Sequence, residues 1–464
     1  GVLVIGPNRV FLRYIEQVLP SLGEAGVEQV VLADLVPGHR IGVIDTNAAK
    51  RVKGDIRMAK VIAKAVQDRQ RPVRDDVEIP YGAGYMRLRA TESARIVRDA
   101  RRRFRRHNAA HRFVETEVVS AMIASSRNPD ANVDTLRDSL RDIPEFRATL
   151  ARMWPMLVPA ELLHDLFGSA ALVKSAAKDE FSEEEYECLV RARSNSIAEV
   201  LWSDSDVALL DEALALLGPR PRKNGKIDET DEVRVFGHIV IDEVQDLTPM
   251  QLRMASRRSL SGAMTVVGDL AQATGPFAPN DWSDLLQYLP AKREQEVIGL
   301  SVGYRIPAQI MALADKVMLE AAPSLRAPKS VREGDFGPDI VEVKSGSDLL
   351  DVVIEQAKIL LVNVGEGNVA IVCPDDMTDA VDGALTAAGV AHGRANTTAL
   401  DSRLTVVPVS VVKGLELDGV LVVEPARIVA SQVHGLRSLY VALTRSTQRL
   451  TVVHSEPLPS AMQS

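Results

Sequence analysis

The chain has 464 residues, 46% apolar, 25% charged and 4% aromatic, a length and apolar content that suit about three domains with substantial cores. Its 55 basic and 63 acidic residues leave a net charge of −8, which excludes a protein that wraps a polyanion with its whole surface and leaves only local basic patches for that task. Two widely separated cysteines, Cys188 and Cys373, exclude a disulfide framework and a cysteine zinc site, and no apolar run reaches the roughly 20 residues of a membrane-crossing helix.

The first residues, Val2–Ile5, read as a buried parallel strand that runs into the turn Gly6-Pro7-Asn8. Apolar Leu12, Ile15, Val18, Leu19 and Leu22 predict a helix over residues 10–22, and residues 30–32 predict the next strand. A central strand needs neighbours on both edges. The chain is therefore expected to begin inside a domain, with Val2–Ile5 left with one unpaired edge. Residues 67–232 are mainly helical in character. Charged helical runs over 92–111 and 131–140 alternate with breaks at Pro129, Pro144, Pro155 and Pro159, and the linker Pro219-Arg220-Pro221-Arg222-Lys223-Asn224-Gly225 closes the zone. Strands over 235–241 and 263–267 restore an α/β pattern. It continues through strands at 369–373, 404–409 and 419–423, a helix at 436–443 and a strand at 450–453. The expected fold class is α/β: two domains with parallel sheets, the first formed by residues 1–66 and 233–296 around a helical insertion at 67–232, the second by residues 297–464.

Candidate chemistry lies on the later strands. His238-Ile239-Val240-Ile241-Asp242-Glu243 brings two carboxylates to the C-terminal end of a strand, the end at which open parallel sheets bind ligands. One carboxylate there can hold Mg2+ and the other can activate water. Read alone, the pair is more often a solvated acidic turn. Met264 to Gln272 repeats the design with Gly268-Asp269 and an amide at Gln272. Tyr304-Arg305 opens one predicted helix and Tyr440-Val441-Ala442-Leu443-Thr444-Arg445 closes another; guanidinium groups there suit the spread charge of phosphoryl transfer, although each alone is as well a capping charge. Lys413-Gly414-Leu415-Glu416 adds a basic turn before a strand.

In their order and wording these segments resemble the UvrD/Rep-like superfamily 1 helicases, and within them the HelD branch. Asp242-Glu243-Val244-Gln245-Asp246 resembles motif II, Gly268-Asp269 with Gln272 motif III, Tyr304-Arg305 motif IV, Lys413-Gly414-Leu415-Glu416 motif V, and Tyr440 to Arg445 motif VI. Gly6-Pro7-Asn8 resembles motif Ia less closely. The resemblance implies two RecA-like domains and the cofactors ATP and Mg2+. It implies Asp242 on the metal, Glu243 as the base for water, and Gln272 as the sensor of the γ-phosphate. Tyr304 would stack near adenine, Arg305 and Arg445 would reach the γ-phosphate, and Gly414 and Glu416 would contact the nucleotide, Glu416 at its ribose. Asn8 and Lys413 would touch nucleic acid.

Three departures qualify this. No G-x-x-x-x-G-K-[ST] occurs in the 464 residues, so the phosphate-binding loop is expected ahead of Gly1 and this chain alone is expected not to hydrolyse ATP. Ser410 stands where the family carries a histidine, and Ala273-Thr274-Gly275-Pro276-Phe277 replaces an aromatic and arginine element. Both elements touch single-stranded DNA in the helicases proper. With the helical insertion, these losses point to the HelD reading: a cytoplasmic ATP-driven motor that remodels or releases RNA polymerase–nucleic acid complexes. RNA polymerase is then the expected partner, DNA or RNA a further one, and no membrane is involved. A 3′–5′ DNA helicase of repair and a non-enzymatic polymerase-binding fragment are the alternatives. Residues 86–112 hold ten arginines against Glu92 and Asp99, a local charge of +8 suited to nucleic acid or an acidic polymerase surface, or to a solvated helical face. Phe104 offers little for base stacking, and His107 and His111 lack further ligands for a metal.

Overall fold

In the computed structural model the chain divides into two compact units, Gly1–Asp242 with Leu247–Val266 and Tyr288–Arg293, and Glu243–Asp246 with Val267–Gln287 and Glu294–Ser464. The described residues are all except 10, 11, 13–15, 17–25, 83, 127–131, 221–232, 291–293, 326, 327, 396–401 and 464. The expected helix over 10–22 falls largely outside them, as does most of the expected linker after Pro219.

The first unit holds a four-stranded parallel sheet in the order β2-β1-β5-β6, from β1 (Val2–Ile5), β2 (Val27–Val30), β5 (His238–Ile241) and β6 (Met264–Val266). Val2 pairs with Val27 on one side and with His238 on the other, and the register runs unbroken to Ile5. The expected unpaired edge on β1 is therefore wrong. The neighbour missing from the local sequence is supplied by β5, which returns from beyond the helical part, and Leu3 and Ile5 are buried between. The strand expected at 30–32 lies slightly earlier, because Leu32–Leu35 winds into a 3₁₀ turn.

Residues between β2 and β5 form helices and one feature the helical periodicity concealed, an antiparallel hairpin of β3 (Val77–Tyr81) and β4 (Gly84–Leu88). Gly82 takes φ +58° in its turn, a conformation open to glycine. The single helical run expected over 92–111 is two helices, Ala90–Arg103 and His111–Ala124, joined through extended Phe104 and a 3₁₀ turn at Asn108–Ala110. Tertiary packing overrides the helical pattern there. Phe104 packs on Phe113 with ring centroids 5.4 Å apart, and His107 stacks flat on Trp154 at 5.0 Å.

His107 is only 3% exposed. Arg101 Nε donates to Gln70 Oε1 at 2.9 Å, which turns the Gln70 amide NH2 toward His107 Nδ1 at 3.1 Å. Nδ1 must accept, so Nε2–H donates to Pro155 O at 2.6 Å, and the neutral ring is fully satisfied. Burial lowers the His107 pKa from 6.5 to about 4. The unfolded chain thus binds the proton more readily across that interval. Stability is fully present above pH 6.5 and falls as the pH drops toward 4, by about 3 kcal/mol for this group. The urea midpoint of His107→Gln should lose much of the fall seen in the parent between pH 6.5 and 5; an unchanged fall would mean that other groups carry it.

Buried ion pairs fix the helix that follows the acidic turn. Thr248 and Gln251 form a capping box, with Pro249 in the first turn, to start the helix Pro249–Arg257. Arg253 pairs with Glu212 at 2.8 Å and Arg258 with Asp211 at 2.7 Å, while Arg257 pairs with both. Both acids lie in the helix Asp204–Leu217, so the helical part of this unit is tied directly to the segment downstream of β5.

The second unit holds a six-stranded parallel sheet in the order β11-β12-β10-β13-β14-β9. Its strands are β9 (Asp339–Glu342), β10 (Val369–Cys373), β11 (Gly393–Arg394), β12 (Leu404–Pro408), β13 (Leu417–Val423) and β14 (Ser446–His454), and a separate parallel pair joins β7 (Val302–Gly303) to β8 (Lys329–Ser330). Every residue of β10 is buried, as a strand covered on both faces requires. β14 begins four residues earlier than the apolar run suggested, because Ser446 pairs with Leu417 before a register shift in β13. The described residues form a mixed α/β chain whose two larger sheets, of four and six strands, are parallel. No helix among the described residues is long and apolar enough to cross a membrane.

Candidate functional site

Asp242 follows β5 within the first unit, its amide donating to Ile5 O at 3.1 Å. Glu243, the next residue, belongs to the second unit and takes φ +51°. A left-handed conformation in a residue with a side chain costs on the order of 1–3 kcal/mol and needs its surroundings to hold it. Here Gln245, 1% exposed, does so: its Nε2 donates to Glu243 Oε2, and its Oε1 accepts from the Asp269 amide at 3.1 Å. A Cβ on Gly268 would run into Gln245 Oε1 and Val244, so glycine is required for this close approach.

Asp269 then caps the 3₁₀ turn Leu270–Gln272, accepting from Ala271 N at 3.0 Å and from Gln272 Nε2 at 2.8 Å. With its NH2 so engaged, Gln272 turns its Oε1 toward Arg445, whose Nη2 donates to it at 2.8 Å. A continuous chain of hydrogen bonds therefore runs from Glu243 through Gln245, Asp269 and Gln272 to Arg445, all within the second unit.

Arg445 is 3% exposed at the end of the helix Gly435–Leu443. Its hydrogen-bond partners are neutral: Gln272 Oε1, Val441 O at 3.1 Å and Thr444 Oγ1 at 3.4 Å. Among the described residues no carboxylate forms an ion pair with it. Burial, and next the charge of Arg305, lower its pKa from 12.5 to about 10, against the opposing pull of Glu243, Tyr440 and Asp269. It stays protonated at neutral pH as a buried cation without a contacting anion, which fits a phosphate oxygen. Among the described residues no group of three His, Cys, Asp or Glu side chains could hold a metal ion.

Lys413 Nζ contacts Asp246 Oδ1 at 2.6 Å and Gln272 O at 2.7 Å, and lies 3.7 Å from Glu243 Oε2. Burial raises the Asp246 pKa, and Lys413 draws it partly back. Gly414 at φ +78° turns the chain from Lys413 toward β13. Arg305 pairs instead with Glu416, Nη1 to Oε1 at 2.5 Å, and Tyr304 beside it is 74% exposed. Asn8 lies exposed in the turn after β1, in the first unit. The structure thus joins Glu243, Gln272, Lys413 and Arg445, and places Arg305 with Glu416 in a separate pair.

Two contributors escaped the sequence reading. Gln245 was seen only as part of a motif, yet it bridges the two acidic turns. Arg437, 5% exposed, donates to Pro279 O at 3.0 Å and Asn280 Oδ1 at 3.3 Å, and burial lowers its pKa. Its place one turn before Tyr440 on the same helix was the only available signal.

No family model and no curated protein matches the chain. Among solved structures it is similar to the C-terminal domain of a possible DNA helicase from Lactobacillus plantarum WCFS1, at 24% identity and a TM-score of 0.29 over 35% of this chain and 92% of that one. It is also similar to Arterivirus nonstructural protein 10, a helicase in complex with DNA, at 15% identity and a TM-score of 0.27 over 47% of this chain and 40% of that one.

Proposed function

We propose that the chain belongs to an ATP-hydrolysing, helicase-like motor of HelD type, acting in the cytoplasm, whose work is the remodelling or release of RNA polymerase–nucleic acid complexes. The observation that carries the nucleotide part is the hydrogen-bonded chain from Glu243 to Arg445, which joins residues from three separate sequence motifs. Bound MgATP supplies the phosphoryl group. Glu243 accepts a proton from water at its carboxylate, held to a strained geometry by Gln245. Asp242 holds the metal. Gln272 positions Arg445, and Arg445 and Arg305 offset the negative charge that develops on phosphate oxygens. Tyr304, Gly414 and Glu416 complete the nucleotide contacts, and Asn8 and Lys413 face nucleic acid in this reading. These 464 residues hold no G-x-x-x-x-G-K-[ST] loop, and hydrolysis in this reading requires one supplied in addition. Residues 67–232 are an insertion in the first of two RecA-like domains.

Ser410 and the segment Ala273-Thr274-Gly275-Pro276-Phe277 support polymerase remodelling over duplex unwinding, since the residues that grip a DNA strand in the resembling helicases are replaced. The test is paired. The protein is expected to co-purify with RNA polymerase and to unwind a 3′-tailed duplex feebly, and a variant without residues 67–232 should lose the polymerase. Robust unwinding by the pure protein, with no polymerase retained, would establish the 3′–5′ helicase in its place; polymerase binding without any nucleotide hydrolysis would establish the non-enzymatic alternative.

A further inference from the structure

We infer that the outward face of the helix Ala90–Arg103, with the strand that feeds it and the turn that follows, is a docking surface for the phosphate backbone of nucleic acid. This does not rest on the nucleotide site.

The helix buries Ser93, Ile96, Val97 and Ala100. Those positions lie on one side, so Arg95, Arg98 and Arg102, at i, i+3 and i+7, form a stripe on the other. At 1.5 Å per residue the stripe is about 10 Å long, the rise of about three stacked nucleotides at 3.4 Å each. Every arginine from Arg87 to Arg112 is exposed, ten in all against two acids in the same stretch.

Internal partners do not account for that charge. Arg101 is structural, donating to Gln70 Oε1, Gln70 O and Gln67 O, and Arg103 covers the Phe113 ring at 5.1 Å. Arg87 pairs with Glu78 across the hairpin. Asp99 is shared at long range between Arg95 at 3.5 Å and Arg102 at 3.3 Å, and Arg95 also reaches Glu117 at 3.4 Å. Among the described residues, no carboxylate pairs with Arg89, Arg98, Arg105, Arg106 or Arg112. The helix's two intrahelical ion pairs, Arg95–Asp99 and Arg102–Asp99, share one carboxylate, which leaves this face with a surplus of positive charge.

The strand leading into the helix adds an aromatic. β4 buries Met86 and Leu88, so Tyr85 and Arg87 point to its other face, and Tyr85 is 69% exposed. Arg89 then stands at the N-cap position of the helix, while the Ala90 amide donates to Asp76 Oδ1 at 2.9 Å. Arginine stripes also attract acidic proteins. An exposed tyrosine in chain continuity with exposed guanidiniums, of which Arg89 and Arg98 have no carboxylate partner among the described residues, favours a phosphate strand with bases, which offers both regularly spaced, singly charged phosphates and rings to stack.

The test is fluorescence anisotropy on the 464-residue chain without nucleotide. Labelled probes are a 20-nucleotide mixed-sequence DNA strand, its duplex and the RNA of the same sequence, with polyglutamate of equal charge as a competitor. Binding that weakens with salt is expected for at least one probe. Combined Arg98→Gln, Arg102→Gln and Arg105→Gln should weaken it at least tenfold and lower the log–log salt slope by about 2 to 3. Lys at the three positions should restore most of the slope. Tyr85→Ala should weaken single strands more than the duplex. Unchanged far-ultraviolet circular dichroism and melting of the Gln variant would show that its loss is not unfolding. Binding is read without nucleotide and hydrolysis in a separate assay, so failure of the motor reading is separable from failure here. The inference is overturned by no binding up to about 10⁻⁴ M at 50 mM salt, by a triple variant that binds like the parent, or by polyglutamate competing as well as nucleic acid.

Discussion

Glu243→Gln is expected to lower ATP turnover by at least about 10³-fold while leaving nucleotide affinity nearly unchanged, in a form of the protein that carries a phosphate-binding loop ahead of Gly1. The substitution removes the carboxylate to which the proposal gives the proton, and changes little else. A glutamine oxygen can still accept from Gln245 Nε2, so the bridge to Asp269 survives. The strained backbone at φ +51° is kept as well, since glutamine has the same branching as glutamate. Lys413 loses only a 3.7 Å neighbour and keeps Asp246 and Gln272 O. Steady-state hydrolysis and equilibrium binding of a labelled ATP analogue separate the two effects. Hydrolysis within tenfold of the parent would remove Glu243 from the base role.

Arg445→Ala is expected to lower turnover by about 10³-fold, the loss typical of a guanidinium that stabilises phosphoryl-transfer charge. Arg445→Lys should recover little. An ammonium cannot hold Val441 O and Gln272 Oε1 together as the Nε and Nη2 groups do, and it is costlier to bury without an anion. Because the side chain carries no ion pair in the described structure, its removal should not leave an uncompensated buried carboxylate, and thermal stability should fall only modestly. Turnover retained in the Ala variant would show Arg445 to be a positioning group for Gln272 and no more.

Much of the second sheet was legible because its strands are buried on both faces. Val369–Cys373 reads as a continuous apolar run with turns at its ends, and such a run has few alternatives. The hairpin at β3 and β4 was not legible, since Tyr85 and Arg87 alternate with Met86 and Leu88 over only five residues inside a charged helical zone. The break at Phe104 depended on partners distant in sequence, Phe113 and Trp154, which no local pattern reveals. The pairing of β1 was misjudged for the same reason: its second neighbour, β5, lies more than two hundred residues on. Within the site, the residue types at positions 243, 272 and 445 marked themselves as chemistry. Their linkage did not, because it runs through Gln245 and Asp269, whose roles are set by amide orientation.

The central claim is that motifs around Glu243, Gln272 and Arg445 form the catalytic half of a nucleotide site and require a phosphate loop to work. The most direct measurement is steady-state Mg2+-dependent ATP hydrolysis by two forms, the 464-residue chain and the chain extended upstream to include a G-x-x-x-x-G-K-[ST] loop. A P-loop supplies backbone N–H groups, a lysine and a metal-binding hydroxyl that none of the residues from Asp242 to Arg445 replaces. The expected result is no measurable turnover by the chain alone and turnover by the extended form that Glu243→Gln abolishes. Hydrolysis by the 464 residues within tenfold of the extended form, or none by either, would contradict it.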